Sequence, residues 1–249
     1  MTAIATTLNG SVATFDWQWQ GQTLQIAYET LGSGEPVLLL PAFSTVSSRT
    51  ELNTLASQLA SQYQVTVLDW PGFGDSDRLR LAYGPDFYQK FLREFVKTQF
   101  SGPMAVIAAG HAAGYSLVMS EAWSKIVLVA PTWRGPLAVM GAPETVRSGV
   151  RALVRSHFIG QLLYWLNTRP AFLKWMYRRH VFVDENALTP DYIAQRHQTT
   201  QKPGARYAPA AFVTGGLDPV TTRADFLDYF ESVTVPVMVI IGEQAPPAS

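Results

Sequence analysis

The chain has 249 residues, 47% of them hydrophobic and 12% aromatic, which is enough to bury one substantial core and excludes a disordered chain. Nineteen basic residues balance nineteen acidic ones for a formal net charge of +0, so no global field draws the protein to nucleic acid or to an acidic substrate. Cysteine is absent, which excludes disulfides, thiolate chemistry and cysteine-ligated zinc.

The opening stretch, MTAIATTLNGSVATF, lacks a basic n-region and a long apolar core, and no apolar run reaches the roughly 20 residues that span a bilayer. The expected setting is soluble and cytoplasmic. Residues 17–20 and 23–28 alternate polar and apolar around Gly21, which predicts an antiparallel hairpin. The run 37–40 is continuously apolar between Pro36 and Pro41 and reads as a buried strand. A helix over roughly 50–62 repeats Leu52, Leu55 and Leu59 at helical spacing, with Ser47 or Ser48 as its cap. Residues 65–68 form the next strand, running into DWPGFGDSD at 69–77. Asp86 then caps a helix whose Phe87, Phe91, Leu92 and Phe95 share one face, with Gln89 completing a capping box.

Residues 105–114, AVIAAGHAAG, carry an apolar strand into a glycine-flanked turn that opens a helix. This is the layout of a nucleophile elbow, G-x-Nuc-x-G, in which a sharp turn presents one reactive side chain beside backbone N–H groups. Ala112 holds the nucleophile's place, and a methyl group cannot attack a carbonyl. Strands follow at 126–130 and 237–241. Alternating strands and helices predict an α/β fold, a mostly parallel sheet with helices on both faces, whose ligands bind at the carboxyl ends of the strands.

The Pro41-Ala42-Phe43 turn, DWPGFGDSD at 69–77, GHAAG at 110–114 and PVMVIIGEQAP at 236–246 together resemble the α/β-hydrolase fold superfamily over most of the chain. APTWRGPL and TGGLDPV more narrowly resemble uncharacterised α/β-hydrolase-like proteins of cyanobacteria and plastids. The resemblance implies a core over 1–130 and 223–249 and a helical cap over 131–222, with the family's last strand and helix expected to be missing. It places the nucleophile at Ala112 and the catalytic acid at Ala245, and the base histidine in a segment beyond Ser249. With no group at any triad position, no proton relay forms there. The residues expected to face an oxyanion or ligand are Ala42, Phe43, His111 and Ala113, with backbone donors at Ala42 or Phe43 and at Ala113. His111 reads as a packing and hydrogen-bonding residue, Ser44 as a cap or loop donor, and Asp218 as turn chemistry. Within 69–77, Pro and Gly shape a turn and Asp69 or Asp75 ties down loop backbone. Glu243 is a stand-in acid that lacks a base. No His/Asp/Glu cluster has metal-ligand spacing and no phosphate loop occurs, so neither metal nor cofactor is expected.

The 131–222 insertion holds eleven basic residues against five acidic ones, +6 locally. Its segment 157–183 mixes large apolar residues with cations and is split into two helices by Thr168-Arg169-Pro170. One reading packs those aromatics onto the core; another makes a lid over an acyl or isoprenoid-like ligand, or a face that rests on an anionic membrane. The expected function is a catalytically silent hydrolase-like protein that binds a small apolar or carbonyl-containing ligand, a lipid surface or a protein partner. The alternative is an active serine-type ester or acyl hydrolase seen through a truncated or altered sequence. A last strand at 237–241 without a neighbour is an edge prone to self-association.

Overall fold

The computed structural model describes residues 8–182, 184, 186 and 188–243. Strands β1 (Ser11–Trp19) and β2 (Gln22–Leu31) pair antiparallel in one long hairpin. Its two turn residues, Gln20 and Gly21, both take positive φ (48° and 76°), as the tight turn that matches strand twist requires. β3 (Glu35–Leu40), β4 (Tyr63–Leu68), β5 (Met104–Ala109), β6 (Trp123–Val129) and β7 (Val237–Ile240) complete a seven-stranded sheet in the order β1-β2-β4-β3-β5-β6-β7. β2 joins β4 antiparallel, and the pairs from β4 through β7 are all parallel.

Period-two alternation sorts the central strands between two cores. Leu38, Leu40, Leu68, Val106 and Ala108 pack into the large aromatic core, while Val37, Leu39, Val65 and Val67 face the other side with Ala56 of α1 (Asn53–Leu59). The larger core is closed by α2 (Pro85–Gln99), which buries Phe87, Tyr88, Phe91, Leu92, Phe95 and Val96 along one face. Full burial of side chains this size contributes about 1.5–3 kcal/mol each, so packing holds α2 in place. The short α3 (Ala112–Leu117) follows β5 and is buried throughout.

Two expected caps are absent. A 3-10 turn over Arg49–Leu52 precedes α1; neither it nor α1 takes a side-chain cap, and Ser47 Oγ instead donates to Ala42 O at 2.7 Å. Helix α2 starts at Pro85 after Gly84, which places Asp86 in its first turn, where a carboxylate favours the positive end of the dipole. The strand expected over 126–130 ends one residue earlier, because Ala130 turns to φ 44°.

Between β6 and β7 lie α4 (Pro136–Val139), α5 (Glu144–Arg155), α6 (Phe158–Asn167), α7 (Pro170–His180), α8 (Pro190–Thr200), α9 (Tyr207–Val213) and α10 (Arg223–Glu231). The break between α6 and α7 falls at Thr168-Arg169, with Pro170 opening α7 as the sequence anticipates. α7 turns Leu173 and Tyr177 toward Ile193 of α8 and toward Val46. α10 carries a capping box, Thr222 Oγ1 accepting from Asp225 N while Asp225 accepts from Thr222 N. At the sheet's edge, β7 leaves Met238, Val239 and Ile240 exposed.

Candidate active site

The carboxyl ends of β3, β5 and β6 meet where the chain leaves the sheet. β5 stops at Ala109, and the next residue, Gly110, takes φ 54° before the chain enters α3. Its N–H donates to Val129 O at 3.0 Å, and its carbonyl accepts from Thr132 N (3.2 Å) and Ala113 N (3.1 Å). The left-handed turn that an elbow needs is therefore at Gly110, two residues before the expected Ala112. Ala112 lies inside the first turn of α3 and is fully buried. The small neighbours that permit close packing on either side of the turn are Ala108 and Ala112, in an Ala-x-Gly-x-Ala arrangement. A Cβ built on Gly110 would stand 3.1 Å from Ala42 Cβ and 3.7 Å from Thr132 Oγ1, between the turn after β3 and the loop after β6.

The four residues expected to face a ligand differ in availability. Ala42 is half-buried beside the turn. The Phe43 side chain is buried and stacked on Trp70 (centroids 4.8 Å apart), edged by Phe73, Tyr88 and Tyr115. The Ala113 N–H, expected as an oxyanion donor, already donates to Gly110 O. In the observed register the residue following the turn is His111 instead, the position from which an elbow supplies its donor. Ala245 lies outside the described residues. Burial pushes the Tyr88 and Tyr115 phenols well above the ordinary tyrosine value, and each hydroxyl donates to a backbone carbonyl, of Pro71 and Leu217 respectively.

His111 does more than pack. Its buried ring sets Nδ1 2.7 Å from Thr132 Oγ1 and Nε2 3.1 Å from Asp218 Oδ1, with Phe212 edge-on at 5.1 Å. Asp218 Oδ1 also accepts from Gly135 N at 2.7 Å. Asp218 does sit in the expected turn, and from there it reaches a histidine 107 residues earlier in the chain. Sequence reading passed over Thr132; its position just beyond the end of β6, at the rim where ligands bind, is the available signal.

On the neighbouring rim, the 69–77 loop is structural, as expected for its aspartates. Asp69 accepts from the N–H groups of Arg49 (2.5 Å) and Asp75 (2.8 Å) and pairs with the Arg49 guanidinium. Arg49 also reaches Glu29 (3.2 Å) and Asp75 (2.7 Å), and Lys202 of the segment after α8 closes on Asp75. Burial disfavours the Arg49 charge, yet the surrounding carboxylates outweigh this and hold its pKa above the ordinary arginine value. Ser44 is a loop residue, its hydroxyl accepting from Val46 N at 3.2 Å.

A model of the alpha/beta hydrolase family matches residues 37–248, a span that begins within β3 and includes β4 through β7, the turn at Gly110 and the helices between β6 and β7. The chain belongs to that family. A Synechocystis sp. protein that carries the name "Putative non-heme chloroperoxidase" is 27% identical to this family member over 232 residues, covering 91% of this chain and 79% of the relative. A solved structure of a probable hydrolytic enzyme from Pseudomonas aeruginosa superposes with a TM-score of 0.72 at 16% identity, covering 95% of this chain and 75% of the other. An alpha/beta hydrolase fold protein from Burkholderia ambifaria gives 0.64 at 18% identity, with 91% and 78% covered. At such identities the structures share this family member's fold.

Proposed function

We propose that this chain uses the family's scaffold to hold a small apolar or carbonyl-containing ligand at the mouth of the sheet, with no covalent step at the elbow. The observation that carries this reading is the turn itself. The left-handed position is glycine and the neighbouring expected position is a buried methyl, so neither register offers an atom able to form an acyl or alkyl bond. The test is incubation with a fluorophosphonate probe followed by peptide mapping, alongside calorimetry with a short-chain fatty acid. The expected result is no adduct on the peptide spanning 110–114, together with saturable fatty-acid binding. A phosphonylated 110–114 peptide, or no binding at millimolar fatty acid, would overturn it.

The surface of α6 and α7 favours an anionic lipid bilayer as the place where such a ligand is met. Phe158, Ile159, Leu162, Trp165 and Leu166 are exposed along α6, and Phe172 and Trp175 along α7. Between 157 and 183 the sequence has Arg169, Lys174, Arg178 and Arg179 and no acidic residue. An apolar face rimmed by cations suits the headgroup boundary of an anionic membrane, where each cation adds about 1 kcal/mol. No helix among the described residues is long and apolar enough to cross a membrane, so the contact is one of surface docking. Co-sedimentation with phosphatidylserine-containing vesicles, and none with phosphatidylcholine alone, is the expected outcome; equal behaviour toward both would remove the lipid reading.

A further inference from the structure

Thr132, His111 and Asp218 form a hydroxyl–imidazole–carboxylate chain that the elbow motif does not account for. We propose that these three residues are a displaced acyl-transfer relay, with Thr132 Oγ1 as nucleophile toward carboxylic esters of small acyl groups. The inference rests on the reading of the elbow as chemically empty and adds an activity to it.

The tautomer follows from the neighbours. An ionised carboxylate only accepts, so Asp218 Oδ1 takes the hydrogen bonds of Gly135 N–H and of His111 Nε2–H. The proton is thereby fixed on Nε2, and the Nδ1 lone pair accepts the Thr132 hydroxyl at 2.7 Å. This is the logic of a base oriented by an acid and aimed at a nucleophile, with the two ring nitrogens exchanged.

The position of Thr132 is also set from three sides. Ala130, a residue with a Cβ, is held at φ 44° where the chain leaves β6, a strained conformation that persists only where its surroundings impose it. Thr132 N–H donates to Gly110 O at 3.2 Å, and its hydroxyl is held by His111. The result places Oγ1 3.7 Å from where a Gly110 Cβ would stand, beside the point from which an elbow nucleophile would project. Ala42 crowds that side, its Cβ 3.1 Å from the Gly110 Cβ position, which limits the acyl group to a small one. Thr132 itself is half-buried and not sealed off.

The chemistry balances with water as the only co-reactant. Thr132 Oγ1 forms a bond to the ester carbonyl carbon as His111 Nδ1 takes the hydroxyl proton. Collapse of the tetrahedral adduct breaks the carbon–alkoxide bond, and the alcohol leaves with that proton. Water then attacks the acyl-threonine, passing a proton through Nδ1 back to Oγ1 and releasing the carboxylic acid. His111 and Thr132 are the catalytic residues; Asp218 is a positioning residue.

The test uses p-nitrophenyl acetate with the full chain, acid-quenched samples being mapped for acetylation. The expected result is slow turnover with acetyl on Thr132, a loss of at least about 100-fold in Thr132→Ala and His111→Gln, and retained turnover in Thr132→Ser. Asp218→Asn is expected to shift the pH profile of the rate, which loss of a loop tether would not do. Thr132→Ala turning over as fast as the unaltered chain would overturn the relay. So would no turnover above buffer by both the unaltered chain and Thr132→Ser, each shown folded by circular dichroism. Either failure leaves the elbow reading intact, since that depends on the 110–114 peptide.

Discussion

Helix α2 and the α6–α7 pair carry similar sequences and meet opposite fates. Each repeats large aromatic and aliphatic residues at helical spacing. In α2 those residues are buried: Phe91 and Phe95 are fully inside, edge-on to Trp17 and to Phe15. In α6 and α7 the same types face outward, with Phe158 90% exposed and Trp175 54%. Periodicity tells which face of a helix is apolar, and it is silent on what covers that face. The charges divide in the same way. Arg49 is buried among three carboxylates, whereas Lys174 and Arg179 stand in solvent on α7.

The contrast can be broken most forcefully at Arg49. Arg49→Ala leaves Glu29 and Asp69 as buried, unpaired charges, for an expected loss of about 3–5 kcal/mol in urea unfolding. Phe91→Ala opens a cavity in the aromatic core and is expected to cost a similar 3–5 kcal/mol. Trp165→Ala, on the exposed face of α6, should change stability by roughly 0.5 kcal/mol or less, as surface substitutions do. If Trp165→Ala destabilises as much as Phe91→Ala, the α6–α7 face is internal and the contrast fails. The same face should respond to charge: neutralising Lys174 and Arg179 together is expected to weaken binding to phosphatidylserine vesicles by about 2 kcal/mol, roughly 30-fold, without moving the unfolding midpoint.

A separate effect is the pH response at the contact between α8 and the core. Burial raises the Glu51 carboxyl from 4.5 to about 7, against the pull of Arg196 at 3.5 Å. Below pH 4.5 the group is protonated whether folded or unfolded. Between about 4.5 and 7 the folded protein keeps a proton that the unfolded chain has released, so this group's contribution to stability falls as pH rises through that window. Glu51→Gln should flatten the slope of stability against pH there; an unchanged slope would assign it to other groups.

Much of the sheet was legible because its signals are local. Gly21 marks the hairpin, Pro36 sits at the start of β3 and Pro41 just past its end, and period-two runs identify the strands. The helix starts were less legible, since Asp86 and Ser48 are cap-forming residues in type while Gly84 and the Arg49 turn set the actual boundaries. The two-residue offset of the elbow has a specific cause. Ala108 to Ala112 and Gly110 to Gly114 both satisfy small-residue spacing, and only the parallel pairing of β5 with β3 and β6, which ends at Ala109, chooses between them. The Thr132–His111–Asp218 chain was out of reach for another reason. Its members are 21 and 107 residues apart and meet only once the loops after β6 and before α10 fold over the turn.

The central claim is that Gly110, not Ala112, occupies the turn at the mouth of the sheet, and the absence of native cysteine gives it a direct reading. Gly110→Cys and Ala112→Cys, prepared separately and treated with iodoacetamide under native conditions, report which position faces the opening. The account expects the thiol at 110 to be alkylated readily and the thiol at 112 to react only in denaturant. Rapid native alkylation at 112 with protection at 110 would contradict it.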